Sequence, residues 1–355
     1  MKAMLLRNCA SLDKNPQPLT MEELPLPDLN PGECLIKVSA CGVCHTELDE
    51  IEGRMDPPRL PVIPGHQVVG TVVNIADQRN QTPKGKDQLS KDPIRVGDRV
   101  GAAWINWACG ECEYCLSGNE NLCERFRATG RDIDGGYAQF ISVPLDFVHQ
   151  IPTRLTDIQA APLLCAGAIG YRSLVLSGVQ NGDTLGLTGF GASGHLTLKI
   201  AKSKFPELQF FVFSRNASER EFAVSLGANW AGSFEDDPPA LLNAIIDTTP
   251  AWKPVLFSMS KLKPGGRLVI NAIRKEESDK GELGQLDYAF HLWKEKEIKS
   301  VANVTRRDVR ECLKFAAEAG IQSEIQTYAL EDANQALLDI KKGGIPGAKV
   351  LQIVH

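Results

Sequence analysis

The rhythm of hydrophobic positions changes partway along the chain. Up to about residue 152 the apolar residues fall in short β-rich runs, ECLIKVSA, HQVVGTVVNIA and GYAQFISVP, divided by Gly, Pro and Asp turns such as PGE and VGDRV. This pattern predicts a mainly-β half. From about residue 183 apolar strands alternate with helix-length amphipathic stretches: DTLGLTGF, HLTLKIAKSK, QFFVFSR and SEREFAVSLGA. NAIIDTT is a further strand, and KPVLFSMSKLKPGGRLVINAI reads as helix, glycine turn and strand. Such alternation predicts an α/β half, a parallel sheet with helices on both faces. After about residue 303 the character is mixed, with VRECLKFAAEAG as a helix and GAKVLQIV as a closing strand. The polar segment 77–93, DQRNQTPKGKDQLSKDP, reads as an exposed, flexible loop.

A length of 355 residues favours two domains. With 43% hydrophobic and 23% charged residues the composition is that of a soluble globular protein. The opening MKAMLLRNCASLDK has no apolar run of signal-peptide length, and no run reaches the roughly 18 apolar residues of a membrane span. A cytoplasmic location without a membrane partner is therefore expected. A net charge of −5, with Lys and Arg scattered, offers no basic surface to nucleic acid. Ten cysteines without an export signal should stay reduced, so tight cysteine spacings point to metal rather than to disulfides.

Residues 109–123 read CGECEYCLSGNENLC, a C-x2-C-x2-C-x7-C pattern. Thiolates from Cys109, Cys112, Cys115 and Cys123, separated by turn-forming Gly, Ser and Asn, can enclose one tetrahedral zinc; an iron–sulfur cluster is the competing metal. Either would be structural, with no open position for chemistry. A cysteine of CGVCHTELDE, Cys41 or Cys44, could join His66 of PGHQVVG and Cys165 of PLLCAGAIGYRSL in an open site of two thiolates and one imidazole. Separations of 22 and 99 residues do not establish this by themselves. Taken singly, Cys165 reads as a buried core thiol and His66 as a strand-end histidine.

LGLTGFGASGHL carries G-x-G-x-x-G at Gly189, Gly191 and Gly194, between a predicted strand and a predicted helix. A tight turn, close approach of backbone to pyrophosphate and close helix packing each require the absence of a Cβ, and the helix N-terminus attracts phosphate. About twenty residues later this fingerprint expects an acidic residue for the ribose of NAD, but QFFVFSRNASER places Ser214 and Arg215 there. A guanidinium suits a 2′-phosphate, so NADP(H) is favoured, with NAD(H) possible.

CGVCHTEL, PGHQVVG, VGDRV, CGECEYC, GGYAQF, LLCAGAIGY, GFGASGH and GAKVLQI occur in this order over essentially the whole chain. Together they resemble the zinc-dependent medium-chain alcohol dehydrogenase family, particularly its bacterial propanol-preferring type. The resemblance implies a GroES-like catalytic domain of residues 1–165 and 302–355, carrying a zinc lobe at 109–123, with a Rossmann cofactor domain inserted at 166–301. It implies two zinc ions per chain, one held by the four-cysteine lobe and one by Cys44, His66 and Cys165, leaving Cys41 to packing. It also places His45 near the cofactor pyrophosphate and Thr46 against the substrate oxygen.

Three positions depart from the family pattern. Glu47 replaces an Asp that orients the zinc histidine, and Gln67 replaces a Glu beside it. Asp49 replaces the histidine that often ends a proton relay, so the relay ends in Asp49, in water or elsewhere. Trp104 matches a position lining the substrate pocket, although packing under the cysteine lobe explains it equally well. The implied activity is interconversion of a small primary alcohol and its aldehyde by a homodimer or homotetramer. The alternatives are a polyol dehydrogenase, whose branch usually lacks the Cys165 equivalent, and a catalytically silent NAD(P)-binding protein on the same fold.

Overall fold

The computed structural model describes residues 1–76, 93–343 and 347–355, so all but Pro93 of the polar segment 77–93 lies outside the described residues. The chain divides into two compact units, Met1–Ala168 with Val304–His355, and Ile169–Asn303.

The first unit is built on the long strand Glu33–Val43, which pairs antiparallel with Val68–Ile75, Phe140–Pro144 and Ala348–Gln352. Cys34, Ile36, Val38 and Ala40 are fully buried, the two-residue period of a strand with one face in the core. A Cβ on Gly70 would lie 2.2 Å from the Lys37 carbonyl oxygen, so glycine is what lets these two strands approach. The sheet continues through Arg99–Ala102 to Val148–Gln150 on one side and ends in Ile325–Ala329 on the other. Ile325–Ala329 runs parallel to Ala348–Gln352, with the helix Ala333–Lys342 between them in sequence. Helix Arg306–Ala319 begins with a capping box of Thr305 and Asp308 and ends at left-handed Gly320, φ 66°.

Although this half reads as mainly-β, strand Glu33–Val43 runs directly into a helix, His45–Ile51. Cys165 lies at the break between the helical segments Asp157–Leu164 and Ala166–Ser177, which are bent by 45°. No single helix among the described residues is long and apolar enough to cross a membrane.

The second unit is a six-stranded parallel sheet in the order Trp230–Gly232, Gln209–Phe213, Thr184–Thr188, Leu242–Asp247, Leu262–Ile270, Glu297–Ser300. Helices Ala192–Lys204, Ala217–Ser225 and Lys253–Lys261 alternate with its strands, a doubly wound arrangement. All five residues of Thr184–Thr188 are buried, as a central parallel strand requires. Strand order reverses between Thr184–Thr188 and Leu242–Asp247, the switch point where open α/β sheets bind ligands. There Asp247 is fully buried and receives Thr188 Oγ1 and Lys275 Nζ, each at 2.5 Å. Lys275 Nζ also donates to the carbonyls of Thr249 and Ala251, which ties the following loop to the strand end.

Candidate active site and metal centres

Strand, helix and turn bring Cys44, His66 and Cys165 together. Cys44 is the N-cap of His45–Ile51: its sulfur accepts from Thr46 N at 3.4 Å, and its own N–H donates to Glu47 Oε2 at 2.9 Å. His66 follows Gly65, whose φ of 100° and lack of a Cβ admit the Tyr137 ring against the turn. Cys165 projects from the helix break. His66 Nε2 lies 3.3 Å from Cys165 Sγ and 3.7 Å from Cys44 Sγ, and all three donor atoms lie within 4.8 Å of one another.

Glu47 joins two of these residues. While Oε2 accepts from the Cys44 N–H, Oε1 stands 2.6 Å from His66 Nδ1, with both side chains almost fully buried. A proton held on Nδ1 by the carboxylate leaves the Nε2 lone pair facing the two sulfurs, the orientation a metal ligand needs. Burial opposes charge on His66, but Glu47 and then Cys44 carry its pKa well above the usual value. Burial also opposes the charge on Glu47, yet His66 and hydrogen bonds from Cys44 hold its carboxyl below the ordinary range. The Cys44 thiol is pushed well up by its hydrogen bond to Cys165, by burial and by the Glu47 charge. Two thiols and an imidazole beside a buried carboxylate fit a borderline-soft dication, which would draw the sulfurs to thiolates and keep a fourth position open.

The four-cysteine lobe fits a closed site. The sulfurs of Cys109, Cys112, Cys115 and Cys123 lie within 4.8 Å of one another. Left-handed Gly110 and Gly118, φ 72° and 78°, turn the chain back between them, and Cys109 Sγ accepts from Cys112 N at 3.3 Å. Glu120, within the lobe's last turn, accepts from the Arg306 N–H at 2.8 Å and its Nε at 3.1 Å, fastening the lobe to the start of helix Arg306–Ala319. Cys41 belongs to neither cluster; it is buried in strand Glu33–Val43.

In the parallel-sheet unit Gly189 is left-handed at φ 78°, and a Cβ there would meet Thr248 Oγ1 at 2.6 Å. A Cβ on Gly194 would lie 2.8 Å from the Gly189 carbonyl oxygen, whereas one on Gly191 would meet nothing within 4 Å among the described residues. The outer glycines are thus required by the turn and the helix packing, and the middle one opens onto free space at the N-cap of Ala192–Lys204, a cradle that fits a pyrophosphate.

A family model for the alcohol dehydrogenase GroES-like domain matches residues 30–153. The probable alcohol dehydrogenase AdhA of Mycobacterium tuberculosis (strain CDC 1551 / Oshkosh) is 40% identical over 353 residues, 99% of this chain and 97% of that protein. The chain belongs to the medium-chain alcohol dehydrogenase family. An alcohol dehydrogenase of Geobacillus stearothermophilus is 35% identical over 94% of this chain and 96% of its own length. Among solved structures a cinnamyl alcohol dehydrogenase from Sorghum bicolor has a TM-score of 0.82 at 26% identity, covering 98% of this chain and 97% of that one. The protein is accordingly an enzyme of alcohol oxidoreduction with NAD(P), a GroES-like domain joined to a Rossmann-type one.

In this dehydrogenase Thr46 is buried one turn-step from Cys44, whereas His45 is exposed. Asp49 is ion-paired with Arg54 Nε at 2.5 Å, so its carboxylate already holds a cation. The Gln67 side chain lies over Gly42, and its Nε2 has no hydrogen-bond partner among the described residues. The Trp104 ring packs on Phe126, centroids 5.1 Å apart, three residues beyond the last cysteine of the lobe. Arg215 is exposed at the end of Gln209–Phe213, beside Ser214.

Two residues escaped the sequence reading. Glu219 reaches the dinucleotide turn from helix Ala217–Ser225. Glu50 is buried with neither carboxylate oxygen hydrogen-bonded among the described residues, and burial followed by the Glu47 charge pushes its pKa up to about 9. Its position on the buried face of the helix was the available signal, hidden because no helix was expected there.

Proposed function

We propose that this alcohol dehydrogenase interconverts small primary alcohols and their aldehydes in a zinc-dependent reaction, with NADP(H) favoured and NAD(H) accepted. The convergence of Cys44 Sγ, His66 Nε2 and Cys165 Sγ within 4.8 Å, with Glu47 bracing Cys44 and His66, carries this reading. These three residues would hold the catalytic zinc, and Cys109, Cys112, Cys115 and Cys123 a structural one. When bound, zinc supplies Lewis acidity to a substrate oxygen, and the nicotinamide takes or gives the hydride.

The chain supplies position and proton handling. Glu47 fixes the His66 tautomer, and its hold on the Cys44 backbone sets where the helix starts. Thr46, two residues beyond Cys44 and buried, would accept the hydroxyl proton of an alcohol at Oγ1 while donating its own onward. Because Asp49 is neutralised by Arg54, water is a better end for that relay than the Asp49 carboxylate. Arg215 would pair with a 2′-phosphate, and Gly189, Gly191 and Gly194 would cradle the pyrophosphate. Trp104, if it walls the pocket, would favour slim substrates.

A homo-oligomer is part of the same proposal. Glu297–Ser300 is an edge strand with all four residues exposed, and the segment before it exposes Tyr288, Phe290 and Trp293. An open edge beside exposed aromatics suits pairing with a second copy. The functional reading is tested by initial rates of butanal reduction with wild type and Cys165→Ser: turnover should vanish in the variant while its circular dichroism is retained. An equally active variant would sink the assignment.

A further inference from the structure

The proposed cofactor preference rests on Arg215, yet a carboxylate stands beside it. Glu219 Oε2 accepts from Ser214 Oγ at 2.6 Å and from the Phe190 N–H, within the dinucleotide turn, at 3.3 Å. Ser214 Oγ in turn accepts from the Asn216 N–H at 3.1 Å. Arg220 Nη1 donates to the Ser214 carbonyl at 2.8 Å and the Arg215 carbonyl at 3.1 Å. Ser214 is 5% exposed, so its hydroxyl is set by these partners rather than by solvent.

We propose that Glu219 sets the balance between NAD(H) and NADP(H), opposing Arg215 at the adenosine ribose. The inference rests on reading the end of Gln209–Phe213 as the ribose site. A serine hydroxyl has one hydrogen and two lone pairs. With the hydrogen given to Glu219 and one lone pair given to Asn216 N–H, Ser214 can make only one more hydrogen bond, and only as an acceptor. A free ribose hydroxyl supplies the donor it needs; an ionised 2′-phosphate has none to give. The second carboxylate oxygen, Oε1, is also an acceptor only. Its charge repels a 2′-phosphate and attracts a ribose hydroxyl. Arg215, exposed on the same strand end, has the opposite preference. The two side chains therefore make the chain a user of both cofactors, and removing the carboxylate should make it selective for NADP(H).

The test is isothermal titration of the zinc-loaded, full-length protein with NAD⁺ and with NADP⁺. Glu219→Gln keeps an oxygen for Ser214 and Phe190, removes the charge and places a donor where Oε1 was. Its ratio of NADP⁺ to NAD⁺ affinity should rise by about tenfold or more over wild type. Ser214→Ala should weaken NAD⁺ severalfold and leave NADP⁺ unchanged. If Glu219→Gln weakens both cofactors equally, Glu219 only ties the turn and the proposal is overturned. If Glu219→Gln does not fold, Ser214→Ala decides, and an unchanged ratio there overturns it. Arg215→Ala tests the underlying preference separately: should it leave NADP⁺ affinity intact, that preference fails while the Glu219 ratio still stands or falls by itself.

Discussion

Replacing Glu47 should loosen the zinc proposed at Cys44, His66 and Cys165. Its carboxylate serves two buried donors, the Cys44 N–H at 2.9 Å and His66 Nδ1 at 2.6 Å. Deprived of its acceptor, each donor is left unsatisfied at a cost of about 1–3 kcal/mol, and bonds to a charged group lie at the upper end. A glutamine of the same length keeps one acceptor oxygen but turns its amide NH2, a donor, towards the other donor, so one of the two bonds is lost. At about 1.4 kcal/mol per tenfold, that corresponds to a zinc dissociation constant raised about 10- to 100-fold, the range seen when the partner of a ligating histidine is removed. Glu47→Ala loses both bonds and should exceed a hundredfold. The assay is competition for zinc against a chromophoric chelator, with butanal reduction followed at limiting and saturating zinc. Activity of Glu47→Gln should fall at limiting zinc and largely recover at saturation. If Glu47→Gln holds zinc as tightly as wild type, the bracing role assigned to this carboxylate is wrong.

Three further perturbations follow from the geometry. His149 is buried, and burial, helped by Arg310 and Arg306, lowers its pKa to about 3 from 6.5, so the folded state stays neutral where the unfolded chain binds a proton. Its contribution is therefore present above pH 6.5 and is lost as pH falls towards 3, by about 1.4 kcal/mol per pH unit; His149→Leu should flatten this acid limb in urea unfolding, and a pH-independent difference from wild type would refute it. Lys275→Met strands the buried Asp247 carboxylate and should destabilise the parallel-sheet unit by about 3–5 kcal/mol; calorimetric unfolding indistinguishable from wild type would contradict that. Trp104→Ala should raise the ratio of kcat/KM for branched over linear aldehydes if the ring walls the pocket, whereas an unchanged ratio with lowered thermal stability would assign it to packing on Phe126.

What could be read from the sequence was local. The turn at Gly189, Gly191 and Gly194 and the alternation of strand and helix depend on neighbours a few residues apart, so their signals lie in short windows. The four-cysteine lobe is equally local, fifteen residues closed by its own glycine turns. The Cys44, His66 and Cys165 cluster is different in kind: a strand end, a turn and a helix break supply it from separations of 22 and 99 residues, and only family likeness pointed to it. Glu219 stayed hidden because the fingerprint looks for an acid at the strand end, whereas this one returns from the following helix. Asp49 could be named as a departure, but its neutralisation by Arg54, five residues on, required the coordinates of both side chains.

In the proposed arrangement Cys44, His66 and Cys165 hold one catalytic zinc, and Cys109, Cys112, Cys115 and Cys123 hold one structural zinc. Metal content per chain, measured on purified wild type, Cys44→Ser and Cys112→Ser by plasma mass spectrometry, tests it most directly. Two zinc ions in the wild type and one in Cys44→Ser, which remains folded but inactive, would agree with the assignment; Cys112→Ser should lose the other ion and with it thermal stability. A Cys44→Ser protein that keeps both ions and turns over butanal would contradict it.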